Sequence, residues 1–195
     1  MNDDPPPTTK APALTPADRQ RALVVARETL RSYLEDGSQF ILGEESPALM
    51  DPRAAFVTVR ERGTYELRGC RGEVHAHQPL IESIAEMAIA AATDDPRFSP
   101  IEKSELPNTI IQISALTEPF VIRPEQIELN RHGLILELGR RSGLLLPKVP
   151  KLYDITTPLE FLESLCRKAH LPQRAWTDPE ARLLAFEAEE WGEGE

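Results

Sequence analysis

A chain of 195 residues is long enough for one domain with two lobes. Its 41% hydrophobic and 28% charged residues are ordinary for a soluble globular protein, and a net charge of −10 with no Lys/Arg-rich block argues against a phosphate-binding face and therefore against nucleic-acid partners. Two cysteines exclude a disulfide framework, and no apolar run approaches the ~20 residues of a membrane span. The acidic start Met1-Asn2-Asp3-Asp4 is no signal peptide, so a cytoplasmic protein is expected.

Residues 1–14 are proline-rich and polar and read as a disordered tail. Thr15 then caps a helix with Pro16 at its first position, Leu23, Ala26, Leu30 and Leu34 form its apolar stripe, and Gly37 ends it. Residues 38–54 read as a connection. Ala55–Arg60 and Tyr65–Arg71 make an antiparallel hairpin around Arg62-Gly63. A second helix follows His77-Gln78-Pro79, with Leu80, Ile84, Ala88 and Ile89 on its apolar face, and Asp94-Asp95-Pro96-Arg97-Phe98 stops it. Strands are expected at Thr109–Leu116, Leu134–Leu138 and Gly143–Leu146, the last two joined by Gly139-Arg140-Arg141-Ser142. Thr157 with Glu160 is a capping box for a helix to about Ala169, and Leu183–Ala188 alternates as a last strand. Seven acids against one base from Asp178 onward leave an acidic C-terminal end, residues 191–195. Helices mixed with antiparallel hairpins, without regular βαβ alternation, predict an α+β fold, a mostly antiparallel sheet flanked by helices.

The run with the most chemistry is Leu67-Arg68-Gly69-Cys70-Arg71-Gly72. Strand alternation puts Arg68 on the same face as Cys70, and a cation beside a thiol favours the reactive thiolate. Cys70 and Arg68 are therefore the candidate catalytic pair, as nucleophile or redox thiol and charge stabiliser. The plainer reading is a small residue at a tight strand end with glycines serving backbone geometry, and no paired base is identifiable. Cys70, His75 and His77 match no established zinc spacing, and neither a metal nor a cofactor is expected. Candidate binding residues are Gly69, Arg71 and Gly72, with Asp95 and Arg97 as an acid and an anion clamp, and Arg141 and Ser142 at a hairpin tip. The bland alternatives are a local turn for Asp95-Pro96-Arg97, with Phe98 as its core anchor, and a solvated tip for the arginines. Cys166 is expected in the core, and Trp176 and Trp191 as packing anchors. No phosphate loop, dinucleotide glycine pattern or metalloprotease helix is present.

Several of these pieces occur in a fixed order. They are Leu67-Arg68-Gly69-Cys70 with Gly72, Asp95-Pro96-Arg97-Phe98, His132-Gly133-Leu134, Arg141-Ser142-Gly143-Leu144-Leu145-Leu146-Pro147, Phe161-Leu162 with Leu165-Cys166, Lys168-Ala169, and Trp176. The ordered set resembles the AMMECR domain family, whose prokaryotic members are called AmmeMemoRadiSam system protein A. The resemblance covers residues 15–190. It implies an α+β domain with a larger and a smaller lobe, and association with a Memo-like protein and a radical S-adenosylmethionine protein. It carries over no reaction. Arg71 stands where the family is usually apolar, and His170 where it usually has Gly; His tolerates the positive φ of a helix end better than most residues. The leading expectation is an accessory component presenting the Leu67–Gly72 surface to a partner. The alternative is an enzyme using Cys70.

Overall fold

The computed structural model describes residues 13–194. In chain order the elements are helix α1 (Pro16–Asp36), short α2 (Pro47–Met50), strands β1 (Ala55–Glu61) and β2 (Leu67–Gly72), α3 (Leu80–Thr93), β3 (Thr109–Leu116), β4 (Phe120–Val121), β5 (Gly133–Leu138), β6 (Arg141–Leu145), α4 (Val149–Leu152), α5 (Pro158–Lys168), β7 (Arg182–Phe186) and β8 (Ala188–Gly192). Among the described residues two four-stranded sheets form, ordered β2-β1-β3-β8 and β4-β7-β5-β6. The chain divides into two compact units. Of the described residues, one holds Glu118–Ala188 and the other holds those up to Thr117 together with those from Glu189. The α+β architecture expected from the sequence is present.

In the unit that starts the chain, α1 and α3 pack together, and α3 also packs on β1 and β2. Val57, Val59, Ile111 and Ile113 recur at period 2 and face the helices, where they join Leu23, Leu30, Leu80 and Ile84 in one core. Thr15 and Asp18 form a reciprocal capping box at the start of α1, and Gly37 closes its end at φ 76°. The Ser46 hydroxyl, followed by that of Thr15, holds the Asp18 carboxyl below its ordinary range. Leu14, the last residue of the expected tail, is buried in the core rather than disordered, and residues 1–12 of that tail lie outside the described residues.

Near the C-terminus, Glu189, Trp191 and Glu193 are anchored by arginines and backbone groups. Glu189 pairs with Arg19 and with buried Arg53, Glu193 bridges Arg27 and accepts the Ile111 N–H, and Trp191 donates to the Arg19 carbonyl. The expected strand at 183–188 is two strands, β7 and β8, one in each sheet, meeting at Glu187.

In Glu118–Ala188, β5 is central and α5 covers the sheet through Phe161, Leu162, Leu165 and Cys166. His132 is a satisfied core histidine. Its Nδ1 accepts from the Glu128 N–H and Phe120 meets its ring edge-on, while burial pushes its pKa down. At the end of α5, His170 takes φ 55° and the Leu171 N–H returns to the Cys166 carbonyl. The His in place of a glycine therefore adopts the left-handed conformation the position demands.

Candidate functional site

Among the described residues, strand β2 is the edge of its sheet, paired antiparallel with β1. The pairs Thr58↔Cys70 and Val59↔Gly69 are followed by Arg60↔Leu67, so Arg68 has no partner across the ladder. This is a β-bulge, and it breaks the period-2 alternation. Alternation would set Arg68 beside Cys70, yet none of the hydrogen bonds of the Arg68 guanidinium among the described residues reaches the Cys70 sulfur. Arg68 instead forks onto Glu105, Nε to Oε1 at 2.9 Å and a terminal nitrogen to Oε2 at 3.1 Å, and donates to the carbonyls of Ser99 and Pro100. The guanidinium holds the Glu105 carboxyl below its ordinary range, against the opposing effect of burial. Arg68 thus ties the segment after α3 to β2.

Cys70 is half-buried. Its Sγ lies 3.3 Å from the Thr58 hydroxyl, which places both on the sheet face away from the helices. A nucleophile needs an adjacent base. Among the described residues, the hydroxyl of Thr58 is the one side-chain group hydrogen-bonded to this sulfur. The backbone N–H of Cys70 points out of the sheet and donates to Asp95 Oδ2 at 2.9 Å.

Asp95 is buried in the loop that follows α3. Its carboxylate also accepts three bonds from Arg97, one from the backbone N–H and two from the guanidinium at 2.9 and 2.6 Å. Arg97 beside it, followed by the Cys70 and Arg97 N–H groups, overcomes the cost of burial and holds the Asp95 carboxyl far below the usual carboxylate range. The pair expected as acid and anion clamp is therefore a loop clamp: the anion Arg97 binds is the protein's own. Phe98 lies under the guanidinium, 5.4 Å from ring centroid to carbon.

The glycines of the run are packing positions. A Cβ on Gly69 would sit 2.0 Å from the Ala91 carbonyl oxygen of α3, and one on Gly72 would sit 2.1 Å from the Phe56 ring. Only a residue without a side chain lets helix and ring come this close. Arg71 is different. It is exposed and makes no ion pair or side-chain hydrogen bond among the described residues. Cys70, His75 and His77 do not gather. The His77 Nδ1 lies 3.1 Å from Glu73, whose other oxygen accepts from Ser83, and no cluster of three His, Cys, Asp or Glu suited to a metal exists among the described residues.

Arg141 and Ser142 lie in the other unit, on edge strand β6. Arg141 donates to the His170 carbonyl, so it satisfies the end of α5, and Ser142 is exposed opposite Glu137. A Cβ on Gly143 would meet Ala169 at 2.8 Å. Sequence reasoning missed Thr58 and Glu105. Thr58 is signalled only by its hairpin register opposite Cys70. Glu105, 37 residues from its arginine, carries no local signal at all.

The sequence pattern of the AMMECR1 family matches residues 23–191. The chain belongs to the AMMECR1 family. Protein MK0488 of Methanopyrus kandleri is 39% identical over 179 residues, covering 88% of this chain and 86% of the relative. Protein MJ0810 of Methanocaldococcus jannaschii is 37% identical, covering 86% of each. The crystal structure of the uncharacterised protein PH0010 from Pyrococcus horikoshii superposes with a TM-score of 0.88 at 34% identity, covering 93% of this chain and 94% of that one. The resemblance seen in the ordered motifs is thus the family. No helix among the described residues is long and apolar enough to cross a membrane.

Proposed function

We propose that this AMMECR1 protein is a cytoplasmic accessory protein that presents the surface around Leu67–Gly72 to a protein partner. The observation that carries this reading is the division of labour within the run. Arg68, Gly69 and Gly72 are spent on packing and ion pairing, while Arg71 is exposed with no partner among the described residues. A charge that is neither paired nor buried is available for recognition. The family resemblance points to a Memo-like protein and a radical S-adenosylmethionine protein as the partners, and the net charge of −10 favours protein over nucleic acid.

The enzyme reading, with Cys70 as nucleophile or redox thiol and Arg68 stabilising negative charge, loses its second residue to Glu105. The test is a binding titration of the purified chain against Memo-like and radical S-adenosylmethionine proteins from one genome. Saturable binding that weakens at least about tenfold in Arg71→Glu supports the reading. Absence of binding to either protein, or equal binding by the variant, overturns it.

A further inference from the structure

An edge strand with open N–H and C=O groups is a template on which another strand can add. In β2 the groups facing away from β1 belong to Cys70 and Gly72. The Glu73 N–H bonds to the Ala55 carbonyl and Cys70 N–H bonds to Asp95, which fixes the alternation: odd residues bond to β1 and even residues face outward. Three features act on this edge together. The bulge at Arg68 ends the regular ladder. The Arg68–Glu105 fork holds the segment after α3 against the strand. The Asp95 carboxylate, 3% exposed and locked by Arg97, occupies the Cys70 N–H.

We propose that Asp95 is an edge guard: its carboxylate caps the Cys70 N–H and so prevents β2 from pairing with β2 of a second copy of this chain. The second copy is the occupant that the strand's own chemistry favours. In a two-fold antiparallel pair centred on Cys70, the two Cys70 residues exchange both backbone bonds. Arg71 then lies opposite Gly69 of the other copy rather than opposite its own equivalent. This register avoids the like-charge contact that would otherwise oppose pairing. It needs the Cys70 N–H, which the guard holds.

The same geometry supplies the test. Hydrogen-bonded antiparallel partners have Cα atoms about 5.5 Å apart, inside the 4.4–6.8 Å range a disulfide spans. Diamide, which takes up the two thiol hydrogens, would therefore join Cys70 to Cys70 only if the edges pair. The full chain and Asp95→Ala are compared by sedimentation, non-reducing electrophoresis after diamide, and amide exchange. Circular dichroism checks folding. The unaltered chain is expected to stay monomeric and uncrosslinked, with its Cys70 amide exchanging at least about tenfold more slowly than that of Gly72. Asp95→Ala is expected to dimerise with concentration, to crosslink through Cys70 but not in Asp95→Ala/Cys70→Ser, and to exchange the Cys70 amide about tenfold faster. A folded Asp95→Ala that stays monomeric and uncrosslinked overturns the proposal, as does equal exchange at Cys70 and Gly72 in the unaltered chain. Should Asp95→Ala not fold, Asp95→Asn, which keeps an acceptor, is expected to crosslink at an intermediate level, and its failure to do so also overturns the proposal. Only this chain enters the experiment, so its outcome is independent of any partner.

Discussion

The two sheets each end in an edge strand built on the same device. In β2, Gly69 lets the last turn of α3 approach through the Ala91 carbonyl, and Arg68 satisfies backbone carbonyls beyond that helix. In β6, Gly143 lets the end of α5 approach through Ala169, and Arg141 satisfies the His170 carbonyl. The difference lies in the acids. Around β2, Glu105 and Asp95 neutralise Arg68 and Arg97 and occupy an edge N–H; β6 has no equivalent clamp among the described residues. A motif of glycine and arginine on an edge strand thus first states how a helix docks. What distinguishes the Cys70 run is the carboxylate machinery added to it, together with exposed Arg71.

The comparison breaks most sharply at the glycines. Gly69→Ala is expected to cost about 3 kcal/mol or more, because a Cβ 2.0 Å from a backbone carbonyl cannot be relieved by a side-chain rotation. Gly143→Ala, at 2.8 Å, is expected to cost about 1–2 kcal/mol. Urea unfolding of both variants measures the order, and equal losses would remove the claim that α3 is the more tightly docked helix.

The arginines come next. Arg68→Met strands the partly buried Glu105 carboxylate and is expected to cost about 2 kcal/mol, against about 1 kcal/mol for Arg141→Met, which leaves only a carbonyl unpaired. A larger loss at Arg141 would contradict the weight given to the acids.

Titration separates the units by pH range. His132 is held neutral by burial, so its contribution is complete above the ordinary value of 6.5 and is lost as pH falls below it. Asp95 and Glu105 have lowered values, so their contributions persist down to the ordinary 3.8 and 4.5 and are lost only below those. Amide exchange followed against pH should therefore show loosening first within Glu118–Ala188 and then around β2, and the reverse order would refute the assignment. The smallest effect is at His170, whose φ of 55° carries strain. His170→Gly is expected to stabilise by up to about 1 kcal/mol in thermal unfolding, and a loss would mean that the imidazole does something besides cap the helix.

Legibility followed locality. The caps at Thr15 and Thr157 lie within four residues of their helices, and α1, β3 and α5 emerged with correct types and nearly correct limits. The family was legible because its motifs keep their order along the chain. The bulge at Arg68 was not, since nothing in Leu67-Arg68-Gly69 says where the opposing strand skips a residue. The Arg68–Glu105 and Arg27–Glu193 pairs were hidden because tertiary folding alone brings their residues together. The partners of Glu189 were hidden for the same reason, since the arginines it binds lie more than a hundred residues away.

The central claim is that the Cys70 run builds and presents a surface rather than performing chemistry at its thiol. The most direct measurement is partner binding by the unaltered chain, Cys70→Ser and Arg71→Glu, side by side against the Memo-like and radical S-adenosylmethionine proteins. The account expects Cys70→Ser to bind within about twofold of the unaltered chain and Arg71→Glu to lose at least about tenfold. Loss of binding in Cys70→Ser with Arg71→Glu unaffected would contradict it and return the thiol to the centre of the function.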